Sequence, residues 1–250
     1  MQAYGQDPTP SRHALVRLEK APQRVEATRS LSVAEWEART RDARALRPEE
    51  LRVLDAASVR AVAGLTRTLS ELNAYLAGTG ALGPQTHRAL TRWFGIGLDR
   101  AWMRRQNRGL LRQLVHELAG IRRALQRFSE DNFRIDPTPG PALGGIYTRA
   151  YVNPFDRAEQ VYVAPGAVQR KNLDTGVIIN LSQMLIHEVS HFESTAGALD
   201  LGYGIRACER LAEQATDLSG RARALANAES LSYFVSDLHW NQFRAARYPR

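Results

Sequence analysis

The chain is expected to be an α+β protein, dominated by helices, with a small β-sheet in its middle and a helical extension at its N-terminus. Three observations predict this. Apolar residues recur at helical spacing over most of the first 130 positions. Short extended runs bounded by proline and glycine occupy the middle. Helical patterns return for the last 70 residues, and an order of helices, strands and helices argues for segregated layers rather than alternating βα units.

The elements follow in order. Residues 1–30 carry scattered proline and charge and read as an arm. Ser32 ahead of Val33, Ala34 and Glu35 resembles a capping start. Pro48 with Glu49 and Glu50 opens a second helix, with acids in its first turn. Leu51, Leu54, Val59, Val62, Leu65, Leu69, Leu72 and Leu76 continue it, and Gly78, Gly80, Gly83 and Pro84 break it. A helix over Gln85 to Phe94 and a longer one from Asp99 to about Ser129 follow. Loop residues Pro137 to Gly145 end the second. Ile146–Val152 and Val161–Val163 read as strands, and Val177–Ile179 as a third. Ser182 can cap a helix running to about Ser194. Helices over Ile205–Leu218 and Ala222–Phe234 close the pattern. Residues 1–55 are read as an extension and 56–250 as the main domain.

Composition narrows the function classes. The 250 residues are 44% hydrophobic, enough for a core, and no apolar run approaches the length of a membrane span. The net charge is +8. Residues 131–250 hold 12 basic and 13 acidic side chains, so the first 130 carry the whole positive excess. These arginines are scattered rather than interleaved with aromatics, so nucleic acid is not the expected partner. The single cysteine, Cys208, excludes an internal disulfide and a cysteine-rich metal site. Any metal must therefore be held by histidines and carboxylates. Met1–Pro10 lacks the apolar stretch of a Sec signal peptide. The expectation is synthesis in the cytoplasm, with any secretion or delivery into a target cell left to a specialised system.

The segment that carries chemistry is Leu185-Ile186-His187-Glu188-Val189-Ser190-His191-Phe192, which contains H-E-x-x-H. Histidines four apart lie one turn above each other on one helix face and can bind one Zn²⁺ together. Glu188 then stands beside the open coordination position, as general base for a metal-activated water. Leu185, Ile186, Val189 and Phe192 can bury the helix around the site. A catalytic zinc takes three protein ligands. Position 197 is glycine, so a third histidine six residues after His191 is excluded. Glu209 and Glu213 on the following helix remain candidates. So does Asp200, just past a glycine-containing turn that would fold it back towards the histidines.

The run from His187-Glu188-Val189-Ser190-His191 through Asp200-Leu201-Gly202-Tyr203-Gly204 resembles the aspzincin peptidases, which include deuterolysins and peptidyl-Lys metalloendopeptidases. Trp93-Phe94-Gly95, Ala150-Tyr151-Val152 with Pro154, Val161-Tyr162-Val163-Ala164-Pro165 and Asn227-Ala228-Glu229 with Tyr233-Phe234 resemble further family segments in the same order. The likeness covers roughly residues 56–240. It implies a zincin-like fold and one catalytic Zn²⁺ held by His187, His191 and Asp200. It also implies Glu188 as general base and Tyr203 as a hydrogen-bond donor to the oxyanion. Lysine-specific members carry two acids for the substrate ammonium. The matching positions are Glu229 and Ser232, only one of them acidic, so lysine specificity is not expected to carry over intact. Val161, Tyr162 and Val163 are the expected edge strand for an extended substrate.

The expected function is thus a zinc-dependent endopeptidase acting on protein or peptide, in the setting of a bacterial secreted toxin or effector with an immunity or inhibitor partner. The alternatives are a zinc hydrolase of cell-wall peptides, or a helical interaction module with a degenerate metal site.

Overall fold

The computed structural model describes residues 33–137, 149–170 and 180–240. The expected arm over residues 1–30, the cap at Ser32, the strand residues Ile146 and Tyr147 and the strand Val177–Ile179 lie outside them. The described elements run α1 (Val33–Thr40), α2 (Pro48–Ala77), α3 (Pro84–Phe94), α4 (Ala101–Arg127), β1 (Phe133–Ile135), β2 (Ala150–Val152), β3 (Val161–Val163), α5 (Leu181–Ser190), α6 (Ile205–Glu213), α7 (Leu218–Leu225) and α8 (Ala228–His239). A helix-dominant α+β architecture with a small sheet is what the sequence predicts; β2 and β3 are among the expected strands and β1 is not. The boundary expected at residue 55 lies within the span of α2.

The core is a helical layer in which α2 packs on α4, α5 and α8. Leu54, Leu65, Leu72, Leu114, Leu118, Ile121, Leu185, Leu231 and Phe234 are fully buried there. Burying one such side chain stabilises the fold by roughly 1.5–3 kcal/mol. Every residue of α5 is buried, which is why its apolar residues surround rather than stripe the helix. Two glycines allow this packing. Gly95 ends α3 at φ 67°, and a Cβ there would lie 2.6 Å from the Ala212 carbonyl oxygen. Gly120, inside α4, lets the backbone of Thr195 approach; a Cβ would meet its carbonyl oxygen at 2.9 Å.

The sheet has the order β1-β3-β2, with β1 parallel and β2 antiparallel to β3. Its alternation is clean. Phe133, Ile135, Val161 and Val163 share one buried face. Tyr151 and Tyr162 pair across strands on the other and stack with ring centroids 5.1 Å apart. Trp36 of α1 covers them edge-on at 5.7 and 5.4 Å, and the Arg39 guanidinium sits 4.1 Å over the Tyr151 ring. Segment 33–44 is thus built into the sheet, since Arg44 also exchanges two backbone hydrogen bonds with Ile135 at 2.9 Å each. The reading of Val161–Val163 as the edge strand is corrected: β3 is the central strand, with backbone pairing on both sides. Among the described residues the outer strand without a further partner is β2.

Candidate metal centre

Helix α5 starts where the Asn180 side chain accepts a hydrogen bond from the Ser182 N–H at 2.8 Å, two residues earlier than the cap expected at Ser182. It ends at Ser190 rather than Ser194, because Thr195 Oγ1 donates to the carbonyls of Val189 (2.6 Å) and Phe192 (2.9 Å) and turns the chain. His187 and His191 stand one turn apart at the C-terminal end of this buried helix. After the turn, Ala198 and Asp200 fold back over it, as the glycine-containing spacing predicts.

Three atoms then converge. His187 Nε2 and His191 Nε2 are 3.3 Å apart. Asp200 Oδ1 lies 3.4 Å from the first and 3.5 Å from the second. A tetrahedral ion with bonds of about 2.05 Å holds its ligand atoms about 3.35 Å apart, so the triangle has the edge lengths of one face of a zinc tetrahedron. Asp200 Oδ1 is buried and accepts no hydrogen bond, which an ion would remedy. The charges agree as well. Glu188, Asp200 and Glu229 crowd two imidazoles in a water-poor site, an excess of negative charge that suits a divalent cation. Of the open third-ligand candidates, Asp200 is the carboxylate that reaches both histidines; Glu209 instead pairs with Arg92 at 2.8 Å.

The other ring nitrogens are held from outside. His191 Nδ1 is 2.8 Å from the Ala198 carbonyl oxygen, which must accept, so Nε2 is left free of its proton for a metal. His187 Nδ1 is 2.9 Å from Glu229 Oε2. Burial alone would lower the His187 pKa, but Glu229, Glu188 and Asp200 together raise it to about 9. Burial and the His187 charge push His191 down. Burial would raise the pKa of Glu229, yet its bonds to His187, Tyr233 and the Gly204 backbone bring it below the usual carboxylate range. Glu188 is buried with Oε1 4.0 Å from His187 Nε2. Burial and the neighbouring carboxylates of Asp200 and Glu229 push it up to about 7, against the opposing charge of His187. Tyr203 is 56% exposed, with its ring 6.0 Å from that of His187. Desolvation first and the Asp200 carboxylate second raise its pKa, so the phenol keeps its proton.

The two residues expected in a substrate pocket are placed differently. The Glu229 carboxylate lies against a ligand histidine, Oε2 2.9 Å from His187 Nδ1. Ser232 is fully buried, where it donates to the Glu229 carbonyl at 2.9 Å and lies 3.3 Å from Gln183 Nε2. The Ala198 carbonyl beside His191 and the Thr195 turn shape the candidate site, and no side-chain pattern announces them.

Comparison with known proteins decides the family. The aspzincin family model, described as lysine-specific metallo-endopeptidase, matches residues 83–236, more than half of the chain. The chain belongs to this family. As an aspzincin it is a zinc-dependent metalloendopeptidase. The fold of a zinc peptidase from Grifola frondosa is similar, with a TM-score of 0.53 and 24% identity, over 77% of this chain and 98% of that one. None of the curated proteins matches the chain. The aspzincin match begins at Gly83 and so leaves out α1 and α2, although α2 contributes a wall of the core. Among the described residues no helix is long and apolar enough to cross a membrane.

Proposed function

We propose that this aspzincin cleaves internal peptide bonds at the His187–His191–Asp200 centre, with Glu188 as general base and Tyr203 as oxyanion donor. The observation that carries the reading is the triangle of Nε2, Nε2 and Oδ1 with sides of 3.3, 3.4 and 3.5 Å. Zinc held there supplies Lewis acidity to the scissile carbonyl and to the water that attacks it. Glu188 takes a proton from that water and passes it to the leaving amine. The protonated phenol of Tyr203 donates to the oxygen that gains charge. The substrate backbone extends along β2, the outer strand packed against α5, in place of β3.

Lysine is not the preferred side chain in this proposal, because Glu229 Oε2 lies 2.9 Å from a ligand histidine and Ser232 is buried. A role as a toxin or effector working on another cell's proteins, with an immunity or inhibitor partner, is part of the same proposal. It is supported by a chain whose one cysteine is buried, a composition that survives reducing cytosol without loss of a disulfide. A peptide-library digest tests the reading. Chelator-sensitive internal cleavage, abolished in Glu188→Gln and showing no enrichment of lysine beside the cut, is the expected result. Sharp lysine selectivity would remove the substrate-pocket part, and cleavage that survives Glu188→Gln would remove the general base.

A further inference from the structure

Asn227 opens α8 at the N-cap position, yet its side chain makes no capping bond to that helix. An N-cap asparagine ordinarily gives its oxygen to the N–H groups of the first turn. Here Oδ1 accepts instead from the N–H groups of Leu201 at 2.9 Å and Gly202 at 3.1 Å, the two residues after Asp200. Two donors on one side fix the orientation of the amide. Its Nδ2 then faces the Gly202 carbonyl at 3.2 Å, Ser230 Oγ at 2.9 Å and Cys208 Sγ at 3.4 Å. Asn227 is fully buried, so no water replaces these bonds when they are lost.

The backbone on either side of Asn227 grips the residue before Asp200. The Leu199 N–H donates to the Ala226 carbonyl at 2.8 Å, and the Ala228 N–H donates to the Leu199 carbonyl at 2.9 Å. Asp200 is therefore bracketed by residues 226–228 on both sides. The next residue, Glu229, reaches His187 Nδ1. One four-residue segment thus bears on two of the three converging side chains, although it contributes none of the three atoms.

We infer that Asn227 is a positioning residue for the metal centre: its side chain trades the capping of α8 for clamping the Asp200 loop, and so sets Asp200 Oδ1 at equal reach of both histidines. This rests on the proposed ligand set. The cost of removing a partner that orients a ligand is about 10–100-fold in metal affinity.

The test is zinc affinity by competition with a chromogenic chelator, together with the melting temperature of the metal-free protein and the visible spectrum of the Co²⁺-substituted protein. Asn227→Ala should bind zinc about 10–100-fold more weakly, with weakened tetrahedral Co²⁺ bands. Asn227→Asp keeps the acceptor for Leu201 and Gly202 but loses the donors, and should fall between the two. A core control, Leu72→Ala, lowers the melting temperature without touching the site and should keep wild-type affinity. Should Asn227→Ala not fold, Asn227→Asp alone decides, with several-fold weaker binding supporting the clamp. Wild-type affinity and Co²⁺ spectrum in the folded Asn227 variants, or an equal affinity loss in Leu72→Ala, would overturn it. Absence of zinc binding by the wild type would instead refute the ligand set itself.

Discussion

Glu117 is expected to make the fold less stable as pH rises. It sits in α4, 8% exposed. One carboxylate oxygen accepts from Gln113 Nε2 at 2.9 Å, and the other is buried with no hydrogen-bond partner. Burial drives its pKa from the ordinary 4.5 up to about 8, against the small opposing pull of Gln113. The folded protein therefore keeps a proton that the unfolded chain releases above pH 4.5. Stability is fully present below that value and is lost progressively as pH climbs to about 8. The slope is about 1.4 kcal/mol per pH unit, and the whole interval amounts to about 5 kcal/mol. Glutamine at this position is neutral at every pH and keeps the same shape. Urea denaturation of wild type and Glu117→Gln at half-unit steps from pH 5 to 8.5 isolates the effect. The difference between the two proteins should grow in favour of the variant across that range, whatever other groups titrate in both. Parallel pH profiles would refute the argument, because they would mean that Glu117 is ionised, and solvated, in the native state.

Other consequences concern the site. Glu188→Gln should retain zinc, by metal analysis, while peptide cleavage falls about 10²–10⁴-fold, the usual weight of a general base; loss of metal in that variant would assign Glu188 a binding role. Gly120→Ala places a methyl group 2.9 Å from the Thr195 carbonyl oxygen, so despite a better helix propensity it should lose roughly 1–3 kcal/mol and shift the turn that leads to Asp200, which thermal melting and chelator competition would register together. Trp36→Ala uncovers the Tyr151–Tyr162 stack and should destabilise the protein by about 2 kcal/mol or more; an unchanged melting temperature would mean that α1 is dispensable to the sheet.

Much of the site was legible because its chemistry is written in local spacing. His187 and His191 are four apart on one helix, and the turn before Asp200 needs only a short glycine-containing segment. The long helices α2 and α4 were legible because each repeats an apolar face over many turns. Elements whose ends are set by tertiary contacts were not. The C-terminal pattern reads as two helices where the structure has three, since the breaks are made by Asp217 capping Gly220 at 2.7 Å and Asn227 bonding to residue 201, not by proline or a long polar run. Strand β1 escaped notice because three residues between a helix and a proline carry no period. The apolar run of β3 says that it is buried but not which neighbours flank it, so its central place in the sheet is not legible. A carboxylate in a motif does not reveal that an imidazole 42 positions earlier will stand 2.9 Å from it, as His187 does from Glu229.

The central claim is tested most directly by the zinc content of purified wild type and Asp200→Ala, measured alongside chelator-sensitive cleavage of a peptide library. One zinc per chain with internal cleavage in the wild type, and both weakened by the substitution, is the predicted result. A wild type that takes up no zinc under replete conditions, or an Asp200→Ala variant that binds zinc and cleaves as the wild type does, would contradict it.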